Sequence, residues 1–174
     1  YMGYAVKNNM LLTLDAGHFH PTEGIADKIS SMLLYLPEIA LHVSRPERWD
    51  SDHVVILNDP LIELSQEIVR SGQMKRVNVG LDYFDASINR IGAYVVGIRS
   101  TQKAMLQAML EPTEKLREYE IQDKNFQRMA YLEELKALPW NAVYNYYCLQ
   151  QGIAVGDAYI KEIEDYENAV TSKR

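Results

Sequence analysis

Three short apolar runs, each parted from the next by a helix-length segment, do most to constrain how this chain folds. Met10-Leu11-Leu12-Thr13-Leu14, Ile39-Ala40-Leu41-His42-Val43 and Arg76-Val77-Asn78-Val79-Gly80-Leu81 read as strands, the second of them buried. Between the first two, Ile25, Ile29, Met32, Leu33 and Leu36 keep the spacing of a helix with one apolar face, and Pro37 ends it. A fourth short run, Val54-Val55-Ile56-Leu57, stops at Asn58-Asp59-Pro60. Pro60 suits the first turn of a helix running to about Arg70, with Asp59 as its N-cap. Strand, helix, strand, helix, strand with short loops implies parallel βαβ units, so the fold class is α/β.

Beyond about residue 88 no strand signal returns. Residues 88–110 form one helical pattern, with Asp85 a candidate cap near Ser87. Pro112 opens a second helix to about Ala137, Pro139-Trp140 a third, and Asp157 a fourth to about Ala169. Glu114, Lys115, Arg117, Glu118 and Glu120 read as a solvated helix face. The Tyr and Trp residues of 140–147 read as helix packing or, more sharply, as a subunit interface. Three or four parallel strands alone would leave raw sheet edges, and a (β/α)₈ barrel takes about 250 residues. The pattern therefore predicts the closing part of a TIM-type barrel over residues 1–110, followed by a helical carboxyl-terminal extension over 111–174. Tyr1 is not an initiator methionine, so the sequence reads as a piece of a longer protein.

Composition narrows the function. A net charge of −6 argues against nucleic acid or an anionic membrane surface as partner. No stretch approaches the roughly 20 apolar residues of a membrane helix. Cys148 is the only cysteine and there is no Asn-x-Ser/Thr site, which favours the cytoplasm. The surrounding tyrosine-rich helix makes Cys148 a buried structural thiol rather than a nucleophile. No GxGxxG, GxxxxGK[ST] or GxSxG motif occurs.

What remains is a cluster of metal-ligand side chains. All four histidines lie between residues 18 and 53, in company with Asp15, Asp50 and Asp52. Asp15 ends the first strand, His18 and His20 follow on its loop, and His42 sits near the end of the second. Asp50, Asp52 and His53 lie on the next loop, and Asp82 ends the third strand. Parallel α/β folds work at the carboxyl ends of their strands, and neighbouring strands are about 4.8 Å apart. Acids and imidazoles from three such ends can therefore reach one or two divalent ions such as manganese, zinc or cobalt. In extended backbone, residues two apart face the same side, so Asp50 and Asp52 can share a cation. His20 and His53 are weaker candidates, as neighbours of the pattern rather than members of it.

At these residues the chain resembles the L-rhamnose isomerase family. The resemblance rests on Asp15-Ala-Gly-His-Phe-His-Pro-Thr-Glu23, Leu41-His-Val-Ser-Arg-Pro46, Arg48-Trp-Asp-Ser-Asp-His-Val-Val55 and Gly80-Leu-Asp-Tyr-Phe-Asp-Ala-Ser-Ile-Asn-Arg90. Leu110-Glu-Pro-Thr113 and Leu138-Pro-Trp140 extend it into the helical tail. It covers the chain but only the carboxyl-terminal part of the family's sequence. It implies a cytoplasmic, tetrameric, manganese-preferring aldose–ketose isomerase on a (β/α)₈ barrel, interconverting L-rhamnose and L-rhamnulose at the first step of rhamnose catabolism. Carried over by position, His18, Asp50 and Asp52 match ligands of the catalytic metal, and Asp15, His42 and Asp82 those of a second, structural metal. The family's bridging glutamate and sugar-contacting lysine and histidine lie upstream of Tyr1, so the fragment alone is expected to bind metal weakly and to be inactive.

Two rivals stand beside it. A dinuclear metallohydrolase on a (β/α) barrel uses the same Asp and His ligands, with Arg45, Arg48 and Arg90 as the nearest phosphate-binding side chains. A domain with purely structural metals would turn over nothing.

Overall fold

The computed structural model describes residues 1–20, 22–47 and 51–174. Its first element is a helix, α1 (Met2–Asn8), ahead of the expected strand; Asn9 ends it in a left-handed turn at φ 51°. Then follow β1 (Leu12–Asp15), α2 (Ala26–Leu33), β2 (Ile39–Val43), α3 (Asp59–Arg70) and β3 (Val77–Leu81). The three strands form one parallel sheet in the order β1-β2-β3, so the expected α/β class with parallel βαβ units is borne out. Leu14 pairs with Leu41 and Asp15 with His42; Leu41 pairs with Val79 and His42 with Gly80.

This register decides which side chains face where. Ile39, Leu41 and Val43 alternate as buried residues along β2, since successive strand residues point to opposite faces. They share a core cluster with Leu14, with Ile29 and Leu33 of α2, and with Leu61, Leu64 and Ile68 of α3. Asp15 and His42, one residue out of phase with that core, lie on the other face. The run Val54–Leu57 is not a strand: Val54 and Val55 are buried while Ile56 and Leu57 are exposed. It anchors the loop in the core without a ladder partner.

The helix caps fall one and four residues away from where the acids suggest. Asn58, not Asp59, caps α3, its side chain accepting from the Leu61 N–H at 3.2 Å. Asp59 sits in the first turn, where the helix dipole favours a carboxylate. Asp85 does bind Ser87, accepting from its N–H at 2.9 Å and its hydroxyl at 2.6 Å. That turn precedes α4 (Arg90–Met109), whose cap is Asn89, accepting from the Gly92 N–H. Tyr83 is buried against α4, its hydroxyl donating to the Ala93 carbonyl at 3.1 Å. Gly97 makes room for it, since a Cβ there would occupy the place of the phenol.

The single helix expected from Pro112 to Ala137 is two, α5 (Thr113–Ile121) and α6 (Asn125–Lys136). Asp123 turns the chain at φ 56°, and the Lys124 N–H returns to the Tyr119 carbonyl at 2.8 Å. An acid in a left-handed turn is the break that charge periodicity hides. The last helices, α7 (Trp140–Gln150) and α8 (Ala158–Ala169), lie where the sequence places them. On α7, Tyr144 and Cys148 are buried, while Tyr146 and Tyr147 are exposed. Among the described residues no strand follows β3, and no helix is long and apolar enough to cross a membrane.

Candidate metal centre

The carboxyl end of the sheet gathers five of the six expected ligands: Asp15, His18, His42, Asp52 and Asp82. Asp50 lies outside the described residues. Asp15 closes β1 and pairs in register with His42. Asp82 follows β3 directly, and its N–H extends the ladder to the Val43 carbonyl at 3.2 Å. His18 ends the short 3₁₀ turn Ala16–His18 that Asp15 itself caps, through the Gly17 N–H at 3.0 Å.

Asp52 comes from much further along the chain and needs its own scaffold. The loop after β2 closes through a backbone bridge, Arg45 N–H to His53 carbonyl at 2.9 Å and His53 N–H to Arg45 carbonyl at 3.2 Å. The Ser51 N–H reaches the Gly17 carbonyl at 3.3 Å, and the Phe84 N–H the Asp52 carbonyl at 3.2 Å. These bonds set Asp52 beside the turn after β1. The approach is so close that a Cβ on Gly17 would run into the Asp52 carboxylate and lie 2.9 Å from the Ser51 carbonyl.

The side chains then form two overlapping groups, Asp15–His42–Asp82 and Asp15–His18–Asp52. In each, one ligand atom per residue lies within 4.8 Å of the others. His42 Nδ1 is 3.1 Å from Asp82 Oδ2 and 3.3 Å from Asp15 Oδ2. His18 Nε2 is 3.9 Å from Asp15 Oδ2 and 4.0 Å from Asp52 Oδ2. In both Asp15 and Asp52 it is Oδ2 that meets the histidines, while Oδ1 is held from behind. The Gly17 N–H holds Asp15 Oδ1, and the Ser44 hydroxyl holds Asp52 Oδ1 at 2.9 Å. Two acids and one imidazole per group, with Asp15 common to both, make a donor set suited to two neighbouring divalent ions.

The weaker candidates stand apart. His20 Nδ1 pairs with the Thr22 hydroxyl at 2.6 Å, and His53 belongs to the backbone bridge. The Ser87 hydroxyl and N–H hold the Asp85 carboxyl below the usual carboxylate range, with smaller help from His53 and Arg45. Arg45 is committed internally, to Glu47 and to the Val54 carbonyl at 3.0 Å, which removes one of the phosphate-binding side chains a hydrolase would want. A cleft of about 270 Å³ opens between Ala16, Glu23, Arg45 and Glu63, and none of the five described ligand candidates lines it. Sequence reasoning passed over Gly17 and Ser44, because neither a glycine nor a serine announces itself as a support for an acid 35 or 8 residues away.

Known proteins match this chain over its whole length. The family model described as L-rhamnose isomerase (RhaA) covers residues 1–174. Similar curated proteins, each called L-rhamnose isomerase, come from Bacteroides thetaiotaomicron, 63% identical over 174 residues, and Escherichia coli strain SMS-3-5, 53% identical. A third, from Yersinia pestis strain Pestoides F, is 51% identical. Each comparison covers 100% of this chain and 42% of the relative.

Proposed function

The chain belongs to the L-rhamnose isomerase family, and from that premise we propose that the intact protein carrying it interconverts L-rhamnose and L-rhamnulose at a centre of two divalent ions. The observation that carries the proposal is the pair of Asp/His groups at the sheet's carboxyl end, joined through Asp15. Family membership weighs against the metallohydrolase alternative, and the family's own reaction needs a substrate with adjacent carbonyl and hydroxyl carbons. In this reading residues 1–110 are part of a TIM-type barrel that positions the site, and 111–174 are a helical extension.

The residues divide as follows. Asp15, His42 and Asp82 hold one ion; His18, Asp52 and, by family likeness, Asp50 hold the catalytic one, with Asp15 within reach of both. Manganese is the expected metal, with zinc or cobalt compatible with the same oxygen and nitrogen donors. A divalent ion there supplies Lewis-acid polarisation of the sugar's carbonyl and neighbouring hydroxyl. The reaction is internally balanced: the hydrogen on C2 moves to C1, a proton moves from O2 to O1, and no external oxidant or reductant is consumed. The chain's part is to fix three carboxylates and two imidazoles on strand ends and tight turns, so that little reorganisation is needed when the sugar arrives. Exposed tyrosines on α7 are consistent with a homotetramer of the intact protein, and the lone cysteine with a cytoplasmic setting.

The test uses the intact protein, stripped of metal and supplied with manganese and L-rhamnose. Ketose should form only with metal, and Asp52→Asn should abolish it; a variant with near-normal turnover would break the assignment. Running the reaction in D₂O separates routes, since solvent deuterium on product carbon excludes a pure 1,2-hydride shift in favour of an enediol formed by a carboxylate base.

A further inference from the structure

Asp52 accepts its hydrogen bond from a residue that nothing above assigns to the reaction, and we propose that Ser44 is a positioning residue that aims the Asp52 carboxylate at the catalytic ion. The proposal rests on the reading of Asp52 as a ligand of that ion. Ser44 is buried, 8% exposed, and its hydroxyl lies 2.9 Å from Asp52 Oδ1. The other oxygen, Oδ2, is the one facing His18 Nε2. An aspartate's terminal torsion is broad and roughly two-fold, so without a second contact its two oxygens sample many directions. One donor on Oδ1 removes that freedom and presents Oδ2.

Both ends of this bond are set by the backbone. Val43, just before Ser44, accepts from the Asp82 N–H, and Arg45, just after it, is bridged to His53. Asp52 adjoins the same bridge and is tied through its carbonyl to Phe84. The serine cannot follow a wandering carboxylate, so the bond constrains the acid rather than the reverse. Serine hydroxyls usually bond to nearby backbone; this one instead spans eight residues to reach a carboxylate. It is also a neutral donor, so it steers the acid without competing with a cation for its charge, as a lysine or arginine would. The same arrangement recurs at Asp15, where the Gly17 N–H holds Oδ1 and leaves Oδ2 to the histidines.

The experiment is a calorimetric titration of the intact, metal-free protein with manganese, comparing wild type, Ser44→Ala, Ser44→Thr and Asp52→Asn. Removing a partner that orients a ligand characteristically costs about 10–100-fold in metal affinity. Ser44→Ala should weaken one of the two sites by that factor, leave the other and the metal-free melting temperature unchanged, and alter the electron paramagnetic resonance of manganese at the weakened site. Ser44→Thr, which keeps the hydroxyl, should restore it. Unchanged affinities, equal weakening of both sites, or a fall in metal-free melting temperature that accounts for the loss would overturn the proposal. If Asp52→Asn itself leaves both sites intact, the ligand reading fails first, and the failure is assigned there rather than to Ser44.

Discussion

At the residue scale, the site depends on an absence as much as on its ligands. Gly17 lies against Asp52 so closely that any side chain would displace the carboxylate or the Ser51 carbonyl. Gly17→Ala should therefore weaken manganese binding by about 10–100-fold, comparable with loss of an orienting partner, and calorimetry on the intact protein checks it. Binding at wild-type strength would mean that Asp52 can reach the ion from a shifted position. The candidate ligands were legible in the sequence because Asp and His recur at strand ends, where a parallel α/β fold places its functional face. Gly17 and Ser44 were not, because their role exists only once a loop returns to lie beside an earlier turn. Asn58 and Asn89 cap their helices where the sequence suggests Asp59 and Asp85, one and four residues away: either amide or carboxylate can cap a helix, and only the chain's path chooses.

Two features at the element scale hold the helices to the sheet and to one another. Glu111, after α4, has a side chain only 4% exposed and receives two bonds from Arg70 at 2.6 Å and one from Gln66 at 2.8 Å, both on α3. Arg70→Ala leaves a buried carboxylate short of donors, and should destabilise by about 1–3 kcal/mol in denaturant unfolding. An unaltered midpoint would show that the clamp is dispensable. Tyr83, wedged against α4, has its phenol pushed up to about 12 by burial, with Tyr94 adding to the effect. A tyrosine raised above its ordinary value of about 10 contributes stability that is complete below that value and lost as pH rises towards 12. Alkaline unfolding should accordingly steepen across that window, and Tyr83→Phe should flatten it; identical profiles would contradict the wedge. Strand and helix positions were largely readable from apolar spacing. The break at Asp123 was not, since a single left-handed residue leaves no trace in charge or hydrophobic period.

For the whole molecule, the chain spans 42% of the length of the relatives it matches. Ions that bind the folded state and not the unfolded one stabilise it by mass action; stripping metal from the intact protein should lower its melting temperature, and an unchanged value would argue against a site built into the fold. On the proposed reading, three strand ends and one returning loop form two ion sites sharing Asp15. Manganese bound per chain, counted by equilibrium dialysis and elemental analysis, tests it most directly. Two ions are expected in the wild type, with loss of one in Asp52→Asn or Asp82→Asn and weakening of both in Asp15→Asn. An undiminished count in Asp15→Asn would contradict it.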